Sequence, residues 1–257
     1  MRHIRQDQII QKMTMRQKVT IEELRDEFQV SIETIRRDLK TLEEEGVIKR
    51  VYGGAILVNP RGVETEYSKR TSLNVLEKQA IAGLVCDLIN DGDTIAIDVG
   101  TTTFEVARLL NRKNNLTVLT NAVHVALHLL YNTSHTVYLL GGLLRPGEDS
   151  TSGVMCTNGL ENYRVDKAII GVSGITASFE ITDYNEPENI ARKKMMEIAG
   201  QVILVADYSK FGITALSKLC DMNMVDTLIT DWKTPQQIIK QLGTGFKNLE
   251  IQIAEQS

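Results

Sequence analysis

A chain of 257 residues that is 42% hydrophobic and 24% charged, with 18 glycines and only 4 prolines, has the make-up of an ordinary globular protein, long enough for one medium domain and a small one. No apolar run approaches a membrane span, "MRHIRQDQII" lacks a signal-peptide core, and Cys86, Cys156 and Cys220 are too scattered for a disulfide framework or a zinc site. The expectation is a reduced, cytoplasmic protein without a metal or cofactor. Its net charge of −4 argues against a generally basic surface, but the charge is uneven: residues 1–58 hold 11 Lys/Arg against 10 Asp/Glu, and the remainder 18 against 23. The local clusters in "TIRRDLK" and "IKR" suit a nucleic-acid binder, although a solvated helix face has the same look.

Ile9, Ile10 and Met13, with charges between them, predict a first amphipathic helix over residues 4–13. "TIEELRDEF" then opens with Thr20 and Glu23 at capping-box spacing, and Leu24 and Phe28 share a face. After a short "QV" link, "SIETIRRDLKTLEEEG" predicts a third helix with Ser31 as N-cap and Gly46 as stop. Ile32, Ile35, Leu39 and Leu42 make its expected buried stripe; Glu33, Arg37, Lys40 and Thr41 fall opposite, with Thr34 and Arg36 towards the edges. Two short helices joined by a tight turn, the second presenting cations, match a helix-turn-helix. "GVIKRVYGGA" alternates and ends in two glycines, which reads as the wing of a winged helix with Lys49 and Arg50 near phosphates.

The polar segment "NPRGVETEYSKR" is the expected linker, over residues 59–73, between a domain at 1–58 and a larger one at 74–257. In the larger domain a helix, "LNVLEKQAIAGLVCDLI", precedes alternating strands and helices. The strands are "TIAIDV", "LTVLT", "TVYLLGG", "KAIIGV", "VILVAD", "VDTLIT" and "LEIQIA". Short, continuously apolar strands alternating with helices predict a mostly parallel α/β sheet covered on both faces, with ligands at the C-terminal strand ends. Polar or glycine-bearing segments stand there: "DVGTTTF", "TN", "GG", "GVSG" and "ADYSKFG". Gly100 before a helix puts free N–H groups at one point, an anion site by geometry, with Lys210 as charge partner; an ordinary N-cap is the competing reading.

"FQVSIETIRRDLKTLEEEGVIKRVYGGA" resembles the N-terminal signature of the DeoR family of bacterial sugar-responsive transcriptional regulators, through Val30, Ser31, Thr34 to Leu39, Leu42, Gly46, Arg50 and Gly53 to Ala55. Arg25 and Tyr52 depart from the usual pattern. The second part resembles the family's sensor domain, which is similar to ribose-5-phosphate isomerase and CoA-transferase-like folds. The resemblance implies operator DNA as partner, read by Ser31, Glu33, Thr34, Arg36, Arg37, Lys40, Lys49, Arg50, Tyr52 and Gly53. It also implies a phosphorylated sugar effector and a homo-oligomer. The expected effector residues are Asp98, Gly100, Thr101, Thr102, Thr103, Thr120, Asn121, Gly141, Gly142, Ser173, Gly174, Glu188, Arg192, Asp207 and Lys210.

Isomerases of this fold carry an acidic segment that supplies a general base. Here "IGVSG" puts Ser173 and Gly174 where carboxylates would be needed, so the expectation is a sensor and not an enzyme, with a sugar-phosphate isomerase as the alternative. In "ENIARKKM" Arg192 stands where the family has Lys; Glu188 and Arg192 are four apart, and a surface helix pair is the competing reading. His124 and His128 have zinc spacing, but "HVALH" lacks the glutamate a zincin needs.

Overall fold

The computed structural model describes residues 4–16, 18–44, 48–57 and 64–256. The expected helix stop at Gly46 and the first part of the expected linker lie outside those residues.

The N-terminal part runs α1 (Ile4–Arg16), β1 (Lys18–Thr20), α2 (Ile21–Phe28), α3 (Ile32–Glu44), β2 (Ile48–Val51) and β3 (Gly54–Leu57). The capping box forms: the Thr20 hydroxyl accepts from the Glu23 amide at 3.2 Å, and the Glu23 carboxylate accepts from the Thr20 amide at 3.0 Å. Ser31 caps α3 by accepting from the Thr34 amide at 3.1 Å. Strand β3 lies between β1 and β2, antiparallel to both. Position by position, "GGA" answers to three demands. Gly53 takes φ +79° in the β2–β3 turn, a Cβ on Gly54 would stand 2.0 Å from the Val19 carbonyl oxygen, and Ala55 is fully buried.

Ile9, Met13, Leu24, Ile35, Leu39, Leu42 and Ile48 form the core of this unit. The expected stripe on α3 is corrected at one position. Ile32 is 36% exposed, and the fourth buried residue of the helix is Asp38. Asp38 accepts from Arg5 Nε at 2.6 Å and Gln6 Nε2 at 3.2 Å, which ties α3 to α1.

The larger part contains α4 (Tyr67–Ser72), α5 (Val75–Leu88), β4 (Thr94–Ile97), α6 (Thr101–Leu109), β5 (Thr117–Thr120), α7 (Val123–Asn132), β6 (Thr136–Leu139), β7 (Leu143–Arg145), β8 (Ser150–Ser152) and α8 (Val154–Leu160). It continues with β9 (Val165–Gly171), β10 (Gly174–Ile175), β11 (Glu180–Asp183), α9 (Glu186–Glu197), β12 (Ala199–Val205), β13 (Ser217–Asp221), β14 (Thr227–Asp231), α10 (Gln236–Gly245) and β15 (Glu250–Ala254). Seven strands, in the order β15-β14-β12-β9-β4-β5-β6, form one sheet in which every pair is parallel. They are the seven apolar runs of the sequence. Residues of α5, α6 and α7 pack one face, and those of α8, α9 and α10 the other. A hairpin β7-β8 and a small antiparallel sheet β10-β11-β13 were not expected.

Successive strands run outward from β4 to β5 and β6, then resume on its other side at β9, so the topological switch lies between β4 and β9. In such sheets the crevice outside the strand ends at this point is the ligand position. Segment 67–72, expected within a linker, is helical, and Arg70 pairs with Glu148 and with Glu64 at 3.5 Å. No helix among the described residues is long and apolar enough to cross a membrane.

Asp38→Ala leaves the Arg5 guanidinium without its buried acceptor and is expected to destabilise the N-terminal unit by about 1–3 kcal/mol. Urea unfolding followed by helical circular dichroism should shift to lower denaturant, while unfolding followed by the single tryptophan, Trp232 in the larger part, should not. Coincident wild-type curves for the variant would deny Asp38 this role.

Candidate functional site

On the N-terminal unit, Glu33, Thr34, Arg36, Arg37, Lys40 and Arg50 line one open groove of about 390 Å³ between α3 and the wing. Arg36 lies 3.6 Å from Glu33, Lys40 3.8 Å from Glu44, and Arg50 2.6 Å from Glu43. The Arg50 backbone N–H and side chain hold the Glu43 carboxyl below its ordinary range. Arg37 and Lys49 are exposed and have no ion-pair partner among the described residues. Tyr52 stands fully exposed at the wing tip beside Gly53. The Ser31 hydroxyl is engaged in its cap and in a 2.8 Å bond with the Thr34 hydroxyl.

In the larger part, Asp98 follows β4 at the switch point and is fully buried. Arg192, four per cent exposed on α9, donates through Nε to Asp98 Oδ2 at 2.6 Å. Its Nη1 lies 3.0 Å from Asp183 Oδ2 and its Nη2 3.5 Å from Glu188 Oε2. The surface-pair reading of Glu188 and Arg192 is therefore corrected: both are buried at the centre of a four-residue ion cluster. Helix α9 presents them because Asn185 caps it, accepting from the Glu188 amide at 3.0 Å, with Pro187 in its first turn. Ser173 joins through its hydroxyl, which donates to Asp183 Oδ2 at 2.9 Å, and Ser150 donates to Glu188 Oε1 at 2.6 Å.

The electrostatics follow from one guanidinium serving three carboxylates. Burial drives the Asp98 carboxyl up to about 7, with Arg192 opposing and Glu188 and Asp183 assisting. Burial also pushes Asp183 upward, but Arg192, Ser173 and the Asn185 N–H together hold it below the ordinary range. Burial pulls Arg192 down, and Asp183, Asp98 and Glu188 overcome that and raise it. Among the described residues, two acceptors in this buried region have no partner: Asp98 Oδ1 and Asn121 Oδ1.

Next to the cluster, Gly100 precedes α6, and no side chain among the described residues caps the helix. Thr101, Thr102 and Thr103 are buried; the Thr103 hydroxyl donates to the Gly100 carbonyl at 3.0 Å. Thr101 and Thr102 hydroxyls form no hydrogen bond among the described residues, so the competing N-cap reading has no bond to support it. Gly171 ends β9 against this turn: a Cβ there would lie 3.6 Å from the Thr103 methyl and 3.7 Å from Asp98 Oδ2.

The remaining expected residues are more dispersed. The Thr120 hydroxyl donates to the Ile97 carbonyl at 2.7 Å and accepts from the Ala122 amide at 3.1 Å, which locks the ends of β4 and β5 together. Asn121 donates to the Thr151 carbonyl at 3.1 Å. A Cβ on Gly142 would meet the Ser152 carbonyl at 2.3 Å, and one on Gly174 the Ile213 carbonyl at 2.6 Å, so close backbone approach explains both glycines. Asp207 accepts from Asn74 Nδ2 at 3.0 Å and from the Ser209 amide at 3.0 Å. Gly141, beyond β6, and Lys210, beyond β12, are four strands apart, roughly 19 Å, and do not meet around one small ligand.

Sequence reasoning missed Asp183 and Lys78. Lys78 is buried, with its ammonium donating to the Leu73 carbonyl at 2.6 Å. Burial holds it down to about 8; Asp207 opposes, and Lys210 and Arg70 reinforce the depression. "TDYNEP" offered Asp183 only as a turn residue, and Lys78 sat in an apolar helix with nothing to single it out.

Arg192→Met strands three buried carboxylates and is expected to cost about 3–5 kcal/mol at neutral pH. The variant's carboxyls would then titrate above their unfolded values. The loss should shrink as pH falls from about 7, the wild-type Asp98 position, towards 4, and grow as pH rises through that window. Thermal denaturation across this range checks it; a pH-independent loss would contradict the ion cluster as its cause.

Comparison with known proteins agrees with this organisation. The DeoR-like helix-turn-helix domain matches residues 5–61, and the DeoR C-terminal sensor domain residues 73–232. The chain is 34% identical over 247 residues to the glycerol-3-phosphate regulon repressor of Escherichia coli, covering 96% of this chain and 98% of that one. It is 36% identical over 248 residues to the transcriptional repressor GlcR of Bacillus subtilis, covering 96% and 95%, and 33% identical to the repressor AccR of Agrobacterium fabrum, covering 88% of each. Among solved structures, ribose-5-phosphate isomerase A of Neisseria gonorrhoeae is similar at a TM-score of 0.41 and 15% identity, over 58% of this chain and 56% of that one. With both family domains matched in order and repressors similar over almost the whole length, the chain belongs to the DeoR family of transcriptional regulators.

Proposed function

We propose that the protein is a repressor of a sugar-metabolism operon, that α3 and the wing read the operator, and that a phosphorylated sugar bound at the switch point controls release. The observation that carries the effector half is the uncapped N-terminus of α6 beside two buried acceptors without partners, Asp98 Oδ1 and Asn121 Oδ1. Free N–H groups and two threonine hydroxyls suit a phosphate, and unpaired acceptors suit sugar hydroxyls. Lys210, beyond β12 and two strands from β4, is a cation on the same side of the switch point. A relative named for the glycerol-3-phosphate regulon, a phosphorylated polyol, supports the ligand class.

A route for the response follows the ion pairs. Glu188 touches both Arg192 and, at 3.0 Å, Arg145; Arg145 pairs with Glu64, and Glu64 with Arg70. Glu64 is the first described residue after the wing. A ligand that changes the charge balance around Asp98 and Arg192 thereby acts on the segment leading from the DNA-binding unit. It shifts the balance of states only through its differential affinity for them.

The isomerase alternative asks for a base, and Asp98, driven up to about 7, is one by proton affinity. It is fully buried and bonded to Arg192, which suits a fixed acceptor. Turnover of a sugar phosphate by the wild type, abolished by Asp98→Asn, would favour the enzyme.

Arg37→Ala should weaken specific operator binding by about 1–3 kcal/mol if Arg37 reads a base. If it holds a phosphate, the loss should be similar on any sequence, with a shallower salt dependence. Unchanged affinity in a folded variant removes Arg37 from the interface. Thr102→Asp puts a carboxylate where the phosphate is to sit, so operator binding should persist while induction is lost. A reporter under the protein's own operator that still responds with the wild-type dose curve would place the phosphate elsewhere.

A further inference from the structure

Three carboxylates converge on Arg192, and they are not equally provided for. Asp183 Oδ1 accepts from the backbone N–H groups of Tyr184 at 2.7 Å and Asn185 at 3.3 Å, and its Oδ2 accepts from Ser173 at 2.9 Å and faces Arg192 at 3.0 Å. Glu188 has the Ser150 hydroxyl at 2.6 Å and two guanidiniums, Arg145 at 3.0 Å and Arg192 at 3.5 Å. Asp98, fully buried, has one donor, Arg192 Nε on Oδ2, and none on Oδ1 among the described residues.

Followed through Arg145 to Glu64, the cluster sets four carboxylates against two guanidiniums, and the Arg70–Glu148 pair at its far end adds no net charge. The α6 turn stands against it. Asp98 is two residues before Gly100, and the Thr103 methyl and Asp98 Oδ2 flank the same point beside Gly171. A phosphate dianion at that turn would meet this excess of negative charge where little water screens it. The repulsion falls if one carboxyl takes a proton, and the one with fewest donors loses its charge most readily.

We propose that the effector and a proton bind together, with Asp98 taking up the proton on Oδ1 when an anion occupies the α6 turn. This rests on the proposed position of the phosphate. Oδ2 keeps its bond to Arg192, and the new O–H is a donor that a sugar hydroxyl can accept. Burial already drives the unliganded carboxyl up to about 7. Anion binding is then favoured where Asp98 is protonated and weakens as pH rises through about 7.

Most groups around Asp98 hold one charge state across this range. Cys156 of α8 is pushed up to about 11, and His124 of α7, which packs on Phe104 of α6, is held down to about 4. Asp183 of β11 is held below the ordinary range, and Arg192 of α9 is raised. Asp231, also driven up to about 7, is bound by the Tyr208 and Lys233 N–H groups at β14, three strands from β4. Lys78 of α5, held down to about 8, gains a proton beside an anion at higher pH.

Inorganic sulfate is the probe: it stays a dianion throughout, so any proton taken up on binding belongs to the protein. Calorimetric titration of the full chain should show sulfate bound about 5- to 10-fold more weakly at pH 8 than at pH 6. At pH 7.5, two buffers of different ionisation enthalpy should reveal uptake of about half a proton or more. Asp98→Asn, which has the shape of the protonated carboxyl, should flatten the dependence to about 2-fold, the share left to Lys78, and bind sulfate at pH 8 at least as tightly as the wild type. A variant weakened equally at both pH values has lost only a structural contact, which overturns the proposal. Wild-type binding without proton uptake overturns it too, while the phosphate position stands. No saturable binding, or binding that Thr102→Asp leaves unchanged, denies that position and the proposal with it. If Asp98→Asn does not fold, the wild-type proton count decides.

Discussion

A single buried guanidinium sets the arrangement at the centre of the larger domain. Arg192 meets carboxylates from the end of β4, the end of β11 and its own helix α9. None of these groups is stable alone away from water, so each element must arrive where the others need it. The demand fixes α9 and the small antiparallel sheet against the parallel sheet at the topological switch, and it pins Asp98 beside the turn into α6. Because Arg192 takes only Oδ2, the other oxygen is left without a partner among the described residues. On the proposed reading, a structure maintained by mutual satisfaction of buried charges would respond to a further charge, which is how an anionic effector would act. Arg145 and Glu64 extend the same chain of charges towards the DNA-binding unit.

The N-terminal unit uses the same device on a smaller scale. Asp38 faces inward and is held by Arg5 and Gln6 of α1, so the outward face of α3 is free for Thr34, Arg36, Arg37 and Lys40. With Arg36, Lys40 and Arg50 each beside a carboxylate, the unit keeps a near-neutral total while Arg37 and Lys49 remain available. A local patch of this kind attracts phosphate without making the whole protein adhere to nucleic acid.

The seven parallel strands were legible because strands covered on both faces must be continuously apolar, and the capping box at Thr20 was legible because it is local. What escaped was either short or distant. Strands β1, β7, β8, β10, β11 and β13 have two to five residues and lack a readable period. Ile32 and Asp38 exchanged roles because a stripe drawn by residue type assigns the apolar side chain inward, whereas Asp38 is buried only by virtue of partners more than thirty residues away. Arg192 and Asp98 are 94 positions apart, so no local pattern could reveal that an i, i+4 pair on α9 was the hub of a buried cluster. The position of the threonine turn, after β4 and at the start of α6, was readable. Which strand ends lie too far apart to share a ligand became clear only from the strand order.

The most direct test of the account is anisotropy of a labelled operator duplex bound to the wild-type protein, titrated with a panel of phosphorylated sugars and their unphosphorylated parents. The account predicts that a phosphorylated sugar releases the duplex while its parent, at equal concentration, leaves the duplex bound, because the α6 N-terminus selects the anion. Release by the parent sugar at the same concentration, or no release by any phosphorylated member of a broad panel, would contradict it.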